Sequence, residues 1–300
     1  MVQEKITIVT TSDNHYVILL AALIKSIEVT NSSKSSIDIY VIDDNIKDIN
    51  KRKITSAIKD QNINVVWKDI KSVIDPSVKL PTDKSVFPLN TYARLFIPYI
   101  VPKETEKVLY LDVDMILIKD VLELWKTDMS SCMIAGVRDR APIVSHWMGI
   151  INYKELGLDP ETKYYNAGLM LLKPKEWRDN NITEKVLSCI KQNISYTHYG
   201  DQYGLNVVFA NSWFELDPRW NCFADSDITD PFLIHFIVTK PLYTSYSFNK
   251  DYKNKFYEYL KLTAWRNYKP QKDTMESFKQ LKNKIFRKIV RFFRKSTSNN

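Results

Sequence analysis

The N-terminal part of the chain, residues 1–70, alternates between short apolar runs and longer segments with helical periodicity. Apolar runs typical of buried strands occur at residues 6–11, 36–44 and 64–70. The two segments between them, 16–28 and 46–60, are predicted to be helices. This alternation predicts an α/β fold of Rossmann type, with a mostly parallel central sheet and helices on both faces. Ligands of such sheets bind at the carboxyl ends of the strands, which makes residues 11–16 a candidate binding loop.

The rest of the chain adds further predicted elements, without an internal repeat or a long low-complexity linker. Strands are predicted at residues 107–112, 132–137, 164–173 and 231–241. Helices are predicted at residues 90–100, 176–190 and 200–210. We expect three regions: a main domain at 1–245, an extension at 246–271 that packs on it, and a tail at 272–300.

The composition excludes several classes of protein. With 300 residues, of which 44% are hydrophobic, the chain can bury a substantial core, and global disorder is not expected. It has only 6 glycines and contains neither a GxGxxG pattern nor a Walker-type phosphate loop. Its three cysteines form no CxxC pair, which argues against a disulfide framework or a zinc cluster. The N-terminal residues lack a signal-peptide pattern, so we expect a cytoplasmic protein.

One apolar run carries two carboxylates in its middle. The sequence KVLYLDVDMILIKDV at 107–121 places Asp112 and Asp114 one residue apart between VLYL and MILI. In a strand, side chains at i and i+2 face the same way and lie about 6–7 Å apart along the chain. Two like charges this close favour a positive partner, and Mg²⁺ or Mn²⁺ would suit their oxygen ligands. Solvated acids at a strand end stay open as the alternative from local sequence alone.

Two chemistries use such a pair of acids. In a nucleotide-sugar transferase, the acids hold the metal that neutralises a leaving diphosphate. In a phosphohydrolase of the haloacid dehalogenase type, the first Asp is a nucleophile and the second is a general acid. That class usually opens its domain with the motif, whereas here several predicted strands and helices precede Asp112. The position of the motif therefore favours the transferase.

Six segments occur in the order typical of one family. They read TSDNHY, LNTYARLFIP, KVLYLDVDMIL, YYNAGLMLLKPKEW, GDQYGLN and IHFIVTKP. With them, residues 5 to about 268 resemble the family 8 retaining glycosyltransferases, and in particular bacterial galactosyl- and glucosyltransferases that build lipopolysaccharide or lipooligosaccharide. The resemblance implies a GT-A nucleotide-diphospho-sugar transferase fold for the domain at 1–245. It also implies a UDP-sugar donor, Mn²⁺ or Mg²⁺ as the metal, and retention of the anomeric configuration.

The resemblance also assigns roles to residues that match the family's motifs. Asp112, Asp114 and His235 match the metal ligands, although a lone His in an apolar run is more often a satisfied core residue. The donor-binding positions are Thr11, Asp13, His15, Tyr16, Arg94, Val113 and Lys240. Of these, Asp13 would hydrogen-bond the edge of the uracil, and Tyr16 would stack on the face of the base. The backbone of Val113 would contact the ribose, and Lys240 would bind a phosphate. The last motif departs from the family pattern, because Val238 replaces a glycine, the spacing to Lys240 is one residue shorter and Leu242 replaces a tryptophan. In the early loop, His15 stands where Asn is common.

Four residues match positions near the donor sugar, and these are the predicted catalytic residues. They are Arg94, Asn166, Asp201 and Gln202. Outside the resemblance, Arg94 would be an ordinary solvated or salt-bridged helix residue and Asp201 an N-cap. Because an amide is a poor nucleophile, Gln202 favours attack from the leaving-group face over a covalent intermediate. The predicted reaction transfers glucose or galactose from UDP to a hydroxyl of a glycan acceptor, with lipopolysaccharide or another cell-surface glycan as the expected substrate.

The C-terminal segment 272–300 carries most of the net charge of +8, since it contains nine basic residues and two acidic ones. On a helical wheel, the aromatic and aliphatic side chains of 277–295 gather opposite the basic ones. Such a helix is typical of binding to anionic lipid, so we expect peripheral association with the inner face of the cytoplasmic membrane and no nucleic-acid partner. A helix that docks on the main domain is the alternative. A non-catalytic sugar- or membrane-binding relative also stays open.

Overall fold

The computed structural model describes residues 5–74, 78, 80–81, 89–197 and 200–272. The basic tail predicted at 272–300 lies outside these residues except for Lys272, and the amphipathic helix predicted at 277–295 lies wholly outside them. The strands are β1 (Ile6–Asp13), β2 (Ile37–Asp44), β3 (Ile63–Asp69), β4 (Val108–Leu111), β5 (Met115–Leu117), β6 (Ile134–Ile143), β7 (Lys163–Leu172), β8 (Phe214–Glu215), β9 (Cys222–Phe223) and β10 (Leu233–His235). The α-helices are α1 (Val17–Thr30), α2 (Asp48–Ala57), α3 (Ile70–Val73), α4 (Ile97–Ile100), α5 (Val121–Trp125), α6 (Pro174–Asp179), α7 (Ile182–Gln192), α8 (Asp201–Val208) and α9 (Lys250–Lys261). Two 3₁₀ helices cover Leu89–Phe96 and Pro218–Asn221.

A seven-stranded sheet forms the centre of the molecule, in the order β3-β2-β1-β4-β7-β6-β8. The strands β3, β2, β1 and β4 are parallel, as the alternation near the N-terminus predicts. The next strand, β7, runs antiparallel to both β4 and β6, and β8 is again parallel to β6. The predicted α/β fold with a mostly parallel sheet is therefore confirmed, and the antiparallel part lies on the side of β7.

The parallel half of the sheet is buried on both faces. Ile6, Ile8 and Val9 of β1 are fully buried, and seven of the eight residues of β2 are buried. Strands covered on both sides need apolar residues at successive positions, which explains why these runs do not alternate with polar residues. The helix α1 is also apolar around most of its surface, because it lies between this sheet and α9.

A smaller sheet holds the end of the predicted strand at 231–241. It has the order β5-β10-β9, with β10 antiparallel to β5 and parallel to β9. His235 is paired with Met115, so the sheet brings the histidine next to the residue that follows Asp114. The backbone N–H of Phe236 still donates to the carbonyl of Asp114, beyond the end of β10. The chain then turns away at Val238, which takes a φ of +65°.

Three predicted elements differ from those observed. The segment 90–100 is mostly a 3₁₀ helix, with only the last four residues in α4. The segment 176–190 forms two helices, α6 and α7, because Asn181 between them adopts a left-handed conformation that asparagine tolerates. The strand predicted at 231–241 covers only Leu233–His235, so Lys240 lies beyond its end.

The helix α9 packs on α1 and on the small sheet. The ring of Phe256 lies 5.8 Å from that of Phe236, and the hydroxyl of Tyr259 donates to the carbonyl of Leu117 at 2.8 Å. Within the ranges described above, no helix is long and apolar enough to cross a bilayer.

Candidate functional site

Asp112 and Asp114 lie in the connection between β4 and β5, at the carboxyl end of β4. The strand predicted at 107–112 is observed as β4, but the strand spacing expected to align the two acids does not apply, because β4 belongs to the large sheet and β5 to the small one. The two carboxylates converge all the same, since both face the imidazole of His235. One ligand atom from each of the three side chains lies within 4.8 Å of the other two. The pairing of β10 with β5 thus brings the ligand atoms together, whereas the i, i+2 spacing within one strand was expected to bring the two acids together.

The imidazole of His235 completes an oxygen and nitrogen ligand set. Its Nε2 lies 3.1 Å from Oδ1 of Asp114 and 3.9 Å from Oδ2 of Asp112, and the side chain is 2% exposed. Its Nδ1 lies 2.9 Å from Oδ1 of Asn221. Two carboxylates and one imidazole suit a divalent cation such as Mn²⁺, so the residues present fit the metal that the sequence predicts.

Lys240 forms an ion pair with Oδ2 of Asp114, and its ammonium group also donates to the carbonyl of Phe236 at 2.8 Å. Burial alone would raise the pKa of Asp114, but the ammonium charge of Lys240 is the largest of the opposing effects, which together hold that pKa well below its usual range. Asp114 is therefore a carboxylate at neutral pH. Val238, at the family's glycine position, adopts the left-handed conformation that glycine would adopt without strain.

Arg94 is buried beside Asp112 and connects three elements. Its Nη1 donates to the carbonyl of Ala167 at 2.6 Å, and its Nη2 lies 3.1 Å from Oδ1 of Asp112. Its guanidinium lies over the ring of Tyr110, whose hydroxyl donates to the same oxygen of Asp112 at 2.7 Å. Burial would lower the pKa of Arg94, but Asp112 and Asp201 outweigh it, so the charge persists. The alternative of a solvated arginine is thereby excluded.

Asp201 begins α8 and faces Arg94, with its Oδ2 2.9 Å from Nε of the guanidinium. The N-cap of α8 is Gly200 and no side chain caps it, so Asp201 is not the capping residue that local sequence suggested. Burial raises the pKa of Asp201 to about 6, although Arg94 opposes the rise.

Asn166 and Gln202 belong to a polar network around Asp139. Oδ2 of Asp139 accepts hydrogen bonds from Nδ2 of Asn166 at 2.7 Å and from Nε2 of Gln202 at 3.2 Å. Oε1 of Gln202 accepts from the backbone N–H of Ala167 at 3.0 Å, and its Nε2 also donates to the hydroxyl of Tyr164. Both groups of the Gln202 amide are therefore engaged in hydrogen bonds.

The predicted uridine loop includes the last residues of β1, which runs to Asp13, and the connection to α1; β1 is the parallel neighbour of β4. The loop therefore lies at the same edge of the sheet as Asp112. Oδ1 of Asp13 accepts from the backbone N–H of Tyr16 at 2.9 Å, and Nε2 of His15 lies 2.8 Å from the hydroxyl of Tyr243. Thr11 and Val113 are partly buried.

The structure places further residues at the site that were not predicted from the sequence. They are Tyr110, Asp139, Gly168 and Asn221. Gly168 could have been noticed, because a glycine inside an apolar strand often marks a close approach. A Cβ added to it would lie 2.7 Å from both Oδ2 of Asp112 and Cε1 of His235. No local pattern points to Asp139 or Asn221, since their partners are distant in the sequence. Tyr110 is only two residues from its partner Asp112, but it looks like any buried aromatic residue of an apolar strand.

The family model described as glycosyl transferase family 8 matches residues 7–256. The chain belongs to this family. The resemblance stated from six sequence segments is thus confirmed, and the family 8 protein carries the predicted acids and histidine as one cluster.

The chain is similar to known proteins over most of its length. General stress protein A of Bacillus subtilis (strain 168) is 24% identical over 283 residues, which are 87% of this chain and 95% of that protein. Among solved structures, the galactosyltransferase LgtC in complex with donor and acceptor sugar analogues has a TM-score of 0.71 at 22% identity, covering 88% of this chain and 100% of LgtC. The apo bifunctional glycosyltransferase WbbM has a TM-score of 0.73 at 22% identity, and this family 8 chain matches 50% of its length. These neighbours confirm the GT-A fold.

Proposed function

We propose that the protein is a metal-dependent retaining hexosyltransferase that moves glucose or galactose from a UDP-sugar to a hydroxyl of a glycan. The observation that carries the proposal is the cluster of Asp112, Asp114 and His235, flanked by the cations of Lys240 and Arg94. A site that combines a metal-ligand set with additional positive charge suits a diphosphate. Its place at the carboxyl ends of β1 and β4 is where ligands of such sheets bind.

In this proposal Asp112, Asp114 and His235 hold Mn²⁺ or Mg²⁺, and the imidazole favours Mn²⁺. When bound, the metal would neutralise the negative charge that develops on the leaving diphosphate. Lys240 is connected to the cluster through Asp114, so a short movement of its flexible side chain brings its charge to a phosphate. Arg94 keeps Asp112 oriented and adds a second fixed charge.

The nucleoside would bind along the loop after β1. Thr11, Asp13, His15 and Tyr16 supply polar and aromatic contacts for the uracil, and the backbone of Val113 meets the ribose. The hydrogen bond from Tyr16 to Asp13 fixes the shape of this loop and still leaves the second carboxylate oxygen of Asp13 for the base.

Asn166, Asp201 and Gln202 would contact the transferred sugar. The amide of Gln202 is already held by Ala167, Asp139 and Tyr164, which orients it but leaves it no nucleophilic character. We therefore propose that the acceptor attacks from the face of the leaving group, with the departing phosphate taking the acceptor's proton.

The acceptor and the location are further parts of the proposal. We propose lipopolysaccharide, lipooligosaccharide or another cell-surface glycan as the acceptor, because the six sequence segments resemble those of bacterial family 8 transferases that build such glycans. We propose a catalytic domain at 1–245, a packed extension at 246–271, and a basic tail at 272–300 that binds the inner face of the cytoplasmic membrane. Sedimentation with anionic vesicles, which a chain ending at residue 271 should no longer show, tests the tail.

UDP release from a panel of UDP-sugars with Mn²⁺, with and without chelator, tests the proposed chemistry. We expect slow, chelator-sensitive release from UDP-glucose or UDP-galactose, and its loss in a variant with Asp112→Asn and Asp114→Asn. Binding of Mn²⁺ and of each donor is measured in parallel. If neither binds, the protein is a non-catalytic relative; if phosphate is released from simple phosphomonoesters, it is a phosphohydrolase.

A further inference from the structure

Asn221 lies on the side of His235 that faces away from the two acids. It ends the 3₁₀ helix Pro218–Asn221 and directly precedes β9, which pairs with β10 so that Phe223 is the partner of His235. Its side chain is buried, as is that of His235. The 2.9 Å contact between Oδ1 of Asn221 and Nδ1 of His235 is thus fixed by strand pairing as well as by its own hydrogen bond.

The orientation of Asn221 follows from a chain of hydrogen bonds with fixed polarity. At its far end, a carboxylate oxygen of Asp139 accepts from Nδ2 of Asn166 at 2.7 Å. The backbone N–H of Gly168, which can only donate, lies 3.0 Å from Oδ1 of Asn166. Both contacts require the amide of Asn166 to present its oxygen to Asn221. Nδ2 of Asn221 therefore donates to that oxygen at 3.0 Å, which turns Oδ1 of Asn221 toward His235.

An amide oxygen at Nδ1 requires that this ring nitrogen carries the proton. In the neutral imidazole, Nε2 then keeps its lone pair, and Nε2 is the atom that faces Asp114 at 3.1 Å. A lone pair held against a carboxylate oxygen is repulsive, unless a cation lies between the two. The network thus prepares the ring as a ligand before any cation arrives.

We propose that Asn221 is a positioning residue that fixes His235 in the tautomer with the proton on Nδ1, so that Nε2 is available as the metal ligand. Asp139 and Asn166 act through Asn221 by setting its orientation. Groups that hold the second nitrogen of a ligating histidine influence metal affinity strongly. This inference rests on the proposed function, because it concerns the histidine of the proposed metal site.

Two substitutions at Asn221 separate the tautomer from packing. Both Asn221→Asp and Asn221→Leu have nearly the shape of asparagine, and both lose the donor to Asn166. Only the aspartate keeps an oxygen acceptor for Nδ1 of His235. As a matched control, Asn152→Leu removes another buried asparagine, which accepts from the hydroxyl of Tyr203 and donates to Asn193, neither of which belongs to the cluster.

The first measurement is the tautomer itself, read from long-range ¹H–¹⁵N correlations of the histidine rings in metal-free protein at alkaline pH. The chain has 4 histidines, and a His235→Gln variant assigns the signal. We expect protonated Nδ1 in the wild type and in Asn221→Asp, and Nε2–H or a mixture in Asn221→Leu. A wild-type ring with the proton on Nε2 overturns the proposal.

The second measurement is the dissociation constant for Mn²⁺, by electron paramagnetic resonance, with thermal unfolding of each variant as a check on folding. We expect Asn221→Leu to weaken binding by about 10–100-fold and Asn221→Asp to stay within about threefold of the wild type. Asn152→Leu should lower the unfolding temperature but leave the affinity unchanged. Equal loss in both Asn221 variants, or no loss in Asn221→Leu, overturns the proposal. A wild type that binds no Mn²⁺ contradicts the proposed function instead, and the tautomer experiment still tests the role of Asn221.

Discussion

The ammonium group of Lys240 lies against the carboxylate of Asp114, on the oxygen opposite the one that faces His235. Asp114 is therefore neutralised by a side chain of the protein itself. A divalent cation at the cluster would share this carboxylate with Lys240 or displace the lysine from it. The lysine is thus both a counter-charge for the buried acid and, in the proposed function, a ligand for phosphate.

Lys240→Met removes this competing charge and keeps most of the side chain's bulk. We expect Mn²⁺ alone to bind the variant at least as tightly as the wild type, because one positive charge leaves the neighbourhood of the cluster. With UDP-sugar, kcat/KM should fall by about 100-fold, since a cation on the leaving group is lost. Calorimetric titration with Mn²⁺ and steady-state kinetics check the two expectations. Weaker binding of Mn²⁺ alone would show that Lys240 supports the metal ligands rather than competing with the metal.

Val238 is a β-branched residue in the left-handed region, with φ of +65°. That conformation costs an L-residue about 1–2 kcal/mol, whereas the greater freedom of glycine in the unfolded chain costs about 0.4–1 kcal/mol. We therefore expect Val238→Gly to raise the free energy of unfolding by about 0.5–1 kcal/mol. Urea denaturation measures it. Val29→Gly is the control: this valine is also exposed, but it lies in α1, where glycine should destabilise. Destabilisation at both positions would contradict the argument.

Asp201 has a pKa raised to about 6 by burial, so the folded protein holds its proton more tightly than the unfolded chain does. The contribution of Asp201 to folding stability is therefore fully present below the pKa of the unfolded chain, and it is lost as the pH rises through about 6. An asparagine at this position does not titrate and has no such dependence. We therefore compare the free energy of unfolding of Asp201→Asn with that of the wild type at each pH. The variant's value minus the wild type's should rise by about 1 kcal/mol from pH 5 to pH 8.

Asp120 provides a control of opposite sign. Burial would raise its pKa, but hydrogen bonds from the backbone N–H groups of Leu122 and Ser33 outweigh it and lower the pKa. The stability from Asp120 is present above its unfolded pKa and is lost as the pH falls. Denaturation of Asp201→Asn and Asp120→Asn at several pH values compares the two. A pH-independent difference between Asp201→Asn and the wild type would show that the Asp201 carboxyl titrates alike in both states.

The parts of the fold that could be predicted are those that depend on residues adjacent in the sequence. The apolar runs of β1 and β2 and the helix between them predict the parallel half of the sheet. The break between β4 and β5 could not be predicted, because VLYL and MILI look like one strand, although they join different sheets. Likewise, nothing near Asn181 says that α6 ends there, since asparagine is only tolerant of the left-handed conformation.

The candidate site divides in the same way. Asp112 and Asp114 are visible as acids in an apolar run, and His235 was identified only through the resemblance to family 8. Asn221 and Asp139 stayed hidden, because their importance lies in contacts with residues on other strands and helices, which are distant in the sequence. Such contacts depend on strand pairing, which brings together residues that are distant in the sequence.

The central claim is that one cation binds between Asp112, Asp114 and His235 and that UDP binds beside it. Crystals grown with Mn²⁺ and UDP, measured at the manganese absorption edge, test this most directly. We predict an anomalous peak within bonding distance of all three side chains, lost in crystals of the variant with Asp112→Asn and Asp114→Asn. No peak, or a peak elsewhere with the three side chains unchanged, would contradict the account.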